Sequence, residues 1–105
     1  MDFSQYKRIH CLGIGGIGLS AVAEILADNG HIVTGTDINP SSVTRHLEDK
    51  GIKVYPTHEP ENVEGVDAIV YSAAVSDENP EVVRARELGI PILTEEEFLA
   101  ALEEA

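Results

Sequence analysis

Six residues, Gly13-Ile14-Gly15-Gly16-Ile17-Gly18, limit what this chain can become more than any others. They follow Arg8-Ile9-His10-Cys11-Leu12, a short, mostly apolar run of the kind that forms a buried strand, and they open a segment with helical spacing. Strand, glycine loop and helix in that order form the context in which G-x-G-x-x-G cradles a pyrophosphate. Gly13 permits the tight turn, Gly15 lets backbone approach a ligand, and Gly18 allows close packing of helix on strand. The N–H groups of Gly16, Ile17 and Gly18 are then expected to be free at the positive end of the helix dipole. Asp37 stands 19 residues after Gly18, at the end of the next strand pattern. An acid there can accept hydrogen bonds from a ribose, and can equally cap the turn into Asn39-Pro40.

The remaining elements alternate. A helix is expected from Ile17 to Asn29, with Ile17, Val22, Ile25 and Leu26 as its apolar stripe and Gly30 closing it. Ile32–Thr36 reads as a second strand, Asn39-Pro40 as the start of a second helix to Lys50 with Val43 and Leu47 inward, and Ile52–Tyr55 as a third strand. After a polar connection, Val66–Tyr71 reads as a fourth strand, and Asn79-Pro80 starts a helix carrying Val82, Val83, Ala85 and Leu88 to Gly89. Ile90–Leu93 is a fifth strand, with Pro91 arguing for an edge. Thr94-Glu95-Glu96-Glu97 is a capping box before a last helix with Phe98, Leu99 and Leu102 on one face. Such alternation means right-handed crossovers and a Rossmann-like, doubly wound parallel sheet of five strands, ordered 3-2-1-4-5, with helices on both faces. Ligands in these sheets lie beyond the carboxyl ends of strands 1 and 4, which points to Gly13–Gly18 and Ser72–Val75.

Charge narrows the partners. Residues 1–58 carry a net of −1, whereas residues 59–105 carry −11. That field repels nucleic acid and anionic membrane, so neither is expected as a partner, and a phosphorylated ligand must be held by local backbone dipoles in the near-neutral half. No apolar run approaches the roughly 20 residues of a membrane span, and the first residues do not read as a signal peptide. Cys11 is the only cysteine, so no internal disulfide forms and a cytoplasmic setting is expected.

The glycine loop and Asp37 alone fit an NAD(H)-binding regulatory module or half of a dehydrogenase as readily as any other nucleotide binder. A wider set of residues separates these. Gly13-Ile14-Gly15-Gly16-Ile17-Gly18 with Leu19-Ser20-Ala21, Gly35-Thr36-Asp37, Thr44 and Leu47, His58, and Ser72-Ala73-Ala74-Val75 with Asn79-Pro80-Glu81 resembles the N-terminal domain of the Mur ligase family of peptidoglycan synthesis. The likeness is to the branch that joins L-alanine to UDP-N-acetylmuramate, and it runs from about Lys7 to Leu99. It implies one domain over residues 1–105 that grips UDP or the UDP part of UDP-N-acetylmuramate. The ATP-binding and C-terminal domains of the ligase polypeptide, with ATP and magnesium, are expected outside this chain. By the family pattern, the loop Gly15-Gly16-Ile17-Gly18 holds the diphosphate, and Gly13 counts with it in the UDP site. Thr36, Asp37 and Ile38 border the uridine, Ser72, Ala73 and Ala74 close the other side, and Thr44, His58 and Asn79 lie near. Three places depart from the pattern: Thr57 stands where glycine usually precedes the histidine, Ala73 where serine is frequent, and Glu95-Glu96 where a basic residue and alanine are common.

The chain lacks ligation machinery. An ATP site of the family's type needs a glycine-rich loop ending in Gly-Lys-Ser/Thr, and Lys7, Lys50 and Lys53 follow Tyr6, Asp49 and Ile52 instead. His10, His31, His46 and His58 have no metal-binding spacing, no metal is expected, and no serine sits in a nucleophile elbow. The chain alone is therefore expected to bind and not to catalyse.

Overall fold

Five short apolar runs become the strands of one parallel sheet. In the computed structural model, which describes residues 5–73 and 75–104 and side chains as far as Ala101, the strands are β1 (Arg8–Leu12), β2 (Ile32–Thr36), β3 (Lys53–Tyr55), β4 (Ala68–Tyr71) and β5 (Ile92–Thr94). Their order is β3-β2-β1-β4-β5, every pairing is parallel, and Cys11 lies between Gly35 of β2 and Val70 of β4. The expected topology is the observed one, and the edge position of β5 fits the proline just before it.

The helices are α1 (Ile17–Asp28), α2 (Ser42–Asp49), α3 (Pro80–Leu88) and α4 (Glu95–Glu104), with a 3-10 turn at Pro60–Val63 inside the connection expected to be irregular. Two expectations about them need correction. Helix α2 starts later than Asn39-Pro40, because Ser41 caps it: Ser41 Oγ accepts the Thr44 amide while Thr44 Oγ1 accepts the Ser41 amide. The buried stripe of α1 is Leu19, Val22, Ala23 and Leu26, whereas Ile17 is 92% exposed and Ile25 faces solvent. Ile17 opens the helix beyond the end of β1, where no neighbouring layer covers it. Val83, Leu88 and Leu99 are likewise exposed, and Val82, Ala85 and Phe98 carry the packing of their helices. Other stops and starts are as read. Asn79 caps α3 by accepting the Glu81 amide, Gly89 ends it in the left-handed conformation (φ 71°), and Thr94 and Glu97 form the reciprocal box that starts α4.

Side chains alternate across the pleat, and this sorts the core into two layers. Ile9, Cys11, Val33 and Val70 point toward α1, α2 and α4, where they meet Leu19, Val22, Leu26, Leu47 and Phe98. Leu12 and Ile69 point the other way, toward Val63, Val82 and Ala85. His10, one position from Ile9 and Cys11, belongs to this second side, facing α3. Gly35 leaves no room for a side chain: a Cβ there would meet Ile14 and the Cys11 carbonyl.

Candidate functional site

At the carboxyl end of β1 the chain turns sharply. Gly13 takes φ 78°, open to glycine at no steric cost, and a side chain there would press on Ser72 Oγ. Gly13 and Ile14 both donate their amides to the Thr36 carbonyl, at 2.8 and 3.2 Å, which stitches the loop to β2. Gly15 donates to Asp37 Oδ2 at 2.8 Å, and Gly16 donates to the Gly13 carbonyl at 3.0 Å. The expectation of a free Gly16 amide is thus corrected, since that group closes the turn. The accessible donors are the next ones. Ile17 and Gly18 occupy the first two helical positions, which have no acceptor within their own helix, and both residues are exposed.

The role of Gly18 is also not the one expected. It does not bring α1 close to a strand; a Cβ on it would run into the Glu95 carboxylate at the start of α4. Helix α1 has no acidic residue in its own first turn, and the Glu95 carboxylate lies beside Gly18 at its positive end. Gly15 is tight for a different reason, with Asp37 Oδ2 2.6 Å and Thr44 Cγ2 3.0 Å from where a Cβ would stand.

Loops after β1, β2, β3 and β4 converge around a cleft of about 400 Å³ lined by Gly13, Gly16, Asp37, Ile38, Asn39, His58, Ser72 and Val75. The structure therefore brings together Gly13, Gly16, Asp37, Ile38, His58 and Ser72 from the sequence-derived set. Gly15 stands beside it on the same loop, with Ile17 and Gly18 next in the first turn of α1. Thr44 lines a neighbouring hollow with Asp37, Pro40 and Val54, and Ala73 lines another with Thr94, Glu95 and Glu96. Thr36 is fully buried with its hydroxyl committed inside the protein, and the Asn79 side chain is occupied as a helix cap. Ala74 lies outside the described residues. Asp37 is held twice, by the Gly15 amide on Oδ2 and the Asn39 amide on Oδ1 at 2.9 Å, so its carboxylate is fixed at the cleft wall.

Behind that wall lies a polar cluster that the sequence reading missed. Glu81 is 0% exposed, and its carboxylate is within hydrogen-bonding distance of five groups. Thr36 Oγ1 and Asn62 Nδ2 each donate to Oε2 at 2.7 Å, and the Glu59 amide donates to it at 3.3 Å. His10 Nε2 lies 3.1 Å and His58 Nδ1 3.2 Å from Oε1. Burial alone would push the carboxyl upward, but the hydrogen bonds from His10, Asn62 and Thr36 prevail and bring it down to about 2. No buried side-chain nitrogen or oxygen lacks a partner among the described residues. One signal for this cluster was available: a histidine within a buried strand must find a hydrogen-bond partner, and an acid at the start of a later helix is a candidate. Cys11, by contrast, has only apolar surroundings, and burial pushes its thiol up to about 12. Among the described residues no cluster of three potential metal ligands occurs, and no helix is long and apolar enough to cross a membrane.

Known proteins resemble this chain in sequence and in fold. Residues 8–105 match the model of the Mur ligase family, catalytic domain. The UDP-N-acetylmuramate–L-alanine ligase of Alkaliphilus metalliredigens is 46% identical over 102 residues, which is 97% of this chain and 22% of that protein. The enzyme of the same name from Acetivibrio thermocellus is 48% identical over 93 residues, 89% of this chain and 20% of that protein. Among solved structures, the UDP-N-acetylmuramate–alanine ligase of Thermotoga maritima superposes with a TM-score of 0.88 at 37% identity, over 92% of this chain and 23% of that one. The chain thus spans about a fifth of the length of the curated relatives it matches. The chain belongs to the Mur ligase family.

Proposed function

We propose that this chain is the N-terminal, nucleotide-gripping domain of a ligase that adds L-alanine to UDP-N-acetylmuramate, and that it holds the UDP part of that substrate. The observation that carries the reading is the convergence of Gly13, Gly16, Asp37, Ile38, His58 and Ser72 on one cleft beside the exposed start of α1. A diphosphate needs backbone donors and a helix start, and the Ile17 and Gly18 amides offer both. Asp37, fixed by two amides, presents a carboxylate edge to a ribose, and exposed Ile38 offers an apolar surface to a base. The residues present do not fit ATP with magnesium, because no Gly-Lys-Ser/Thr loop exists in the chain. Phosphorylation of the substrate carboxylate and attack by the amine of L-alanine therefore belong to other parts of the ligase polypeptide, and this chain by itself binds without catalysing. A cytoplasmic setting, where such precursors are assembled, goes with this reading.

Calorimetry with UDP, UDP-N-acetylmuramate and NAD tests it. Binding of the two uridine compounds is expected, and weakly, since only part of the ligand meets this domain. Clear NAD binding with no response to either uridine compound overturns the proposal in favour of a dinucleotide module.

A further inference from the structure

We infer that Glu81 is a positioning residue for ligand binding: it accepts the Nδ1–H of His58 and so holds that imidazole at the cleft wall, where the Nε2–H of the protonated ring donates to an anionic oxygen of the nucleotide. The inference rests on the UDP reading and adds to it a buried group with no access to the ligand. Its geometric basis is a chain of contacts from core to cleft. Glu81 is fully buried in the first turn of α3, His58 Nδ1 lies 3.2 Å from its Oε1, and the half-buried His58 ring lines the cleft with Asp37 and Ser72.

The two histidines on Glu81 are not equivalent. Thr36 Oγ1 spends its proton on Glu81 Oε2, so its lone pairs face the Nε2–H of His10 at 3.0 Å. The other His10 nitrogen, Nδ1, lies 2.7 Å from Thr34 Oγ1, which can donate to it. His10 thereby has a hydrogen-bond partner on both nitrogens inside the protein. His58 has Glu81 on one nitrogen and the cleft beyond, and the bond made by Nδ1 decides which nitrogen is left for a ligand. The titratable groups on Glu81 are His10 from β1 and His58 from the loop after β3; Asp37 faces His58 across the cleft. No lysine or arginine pairs with Glu81 among the described residues. A protonated His58 faces two anions, Glu81 on Nδ1 and an incoming diphosphate on Nε2.

Two measurements test this. In the 15N-labelled chain at about pH 8, imidazole nitrogen shifts are expected to show His58 protonated on Nδ1 and bare on Nε2. Titrations with UDP and with uridine then compare the parent with His58→Gln and Glu81→Gln at about pH 6 and about pH 8.5. The parent is expected to bind UDP about tenfold more tightly than either variant at the lower pH, with the ratio shrinking to about twofold at the higher one and uridine unaffected. Taking the ratio cancels the protonation of UDP itself. Should Glu81→Gln fail to fold, as circular dichroism reports, the tautomer and the His58→Gln ratio decide the matter. An Nε2–H tautomer, a ratio independent of pH, or an equal loss for uridine overturns the inference while leaving UDP binding intact. A parent that binds no UDP overturns the underlying functional reading instead.

Discussion

Asp37 Oδ2 accepts the amide of Gly15 at 2.8 Å, so the acid at the end of β2 holds the glycine loop at the end of β1. A residue that sequence spacing assigns to a ribose is also a clamp on the loop beside it. The clamp predicts a stability effect independent of any ligand. Asp37→Ala leaves the Gly15 and Asn39 amides unpartnered at the cleft wall. Urea denaturation is expected to show a loss of about 1–3 kcal/mol. Asp37→Asn, which turns an NH2 toward one of those amides, should fall between parent and alanine. A parent-like midpoint for both variants removes the clamp.

Gly35 is predicted to be the least replaceable glycine for folding, although it lies outside the fingerprint. A Cβ there would stand 2.8 Å from the Cys11 carbonyl and against Ile14, both within the central layer. Backbone cannot give way as a flexible side chain can, so Gly35→Ala should cost about 1–3 kcal/mol by overpacking. Gly16→Ala, whose nearest neighbour is the Gly13 carbonyl at 3.4 Å, should change the thermal midpoint little. Equal effects at the two positions contradict this ordering.

The sheet was legible because its signals are local. The first three helical runs stop at Gly30, Gly51 and Gly89, Asn79-Pro80 and Thr94 with Glu97 cap their helices within four residues, and parallel order follows from the alternation of strand and helix. What escaped depends on contacts across the chain. Asn39 does not start α2; its amide closes a turn onto Asp37, and Ser41 and Thr44 build the cap two residues later. Ile17 fits the helical stripe by spacing, yet it stands past the end of the sheet with nothing to cover it. The Gly16 amide looks free on the fingerprint and is consumed by the Gly13 carbonyl. His10 and Glu81 are 71 residues apart, and only the tertiary packing of the start of α3 beside β1 brings them together.

Glu81 sets the acid limb of stability. Its carboxyl titrates near 4.5 when unfolded and is drawn down to about 2 in the fold. The contribution is therefore complete above about pH 5 and lost as pH falls toward the folded value. The loss is on the order of 3 kcal/mol. Unfolding free energies measured from neutral pH down to about pH 2 should fall steeply in the parent and less in Glu81→Gln, which starts lower. Parallel curves for the two proteins exclude Glu81 as the source.

Cys11 should be chemically silent in the native state. Its thiol is buried and held up at about 12, so almost no thiolate forms at pH 8. Labelling by a thiol-reactive disulfide is expected to follow global unfolding, accelerating in urea along the unfolding transition. Rapid labelling in buffer alone places Cys11 near the surface and contradicts the core described above.

Glu95 makes the sharpest case for where an anion sits. Its carboxylate rests against Gly18 at the positive end of α1, on the ground that a diphosphate would share with the Ile17 and Gly18 amides. Replacing it removes a like charge from a phosphate site without touching the core. Glu95→Ala should therefore raise affinity for UDP about two- to fivefold at low salt, with the gain shrinking as salt screens the charge. Uridine, which has no phosphate, should bind both proteins alike. If Glu95→Ala leaves UDP affinity unchanged at low salt while Ser72 and His58 variants lower it, the diphosphate lies over the cleft and not on the helix start.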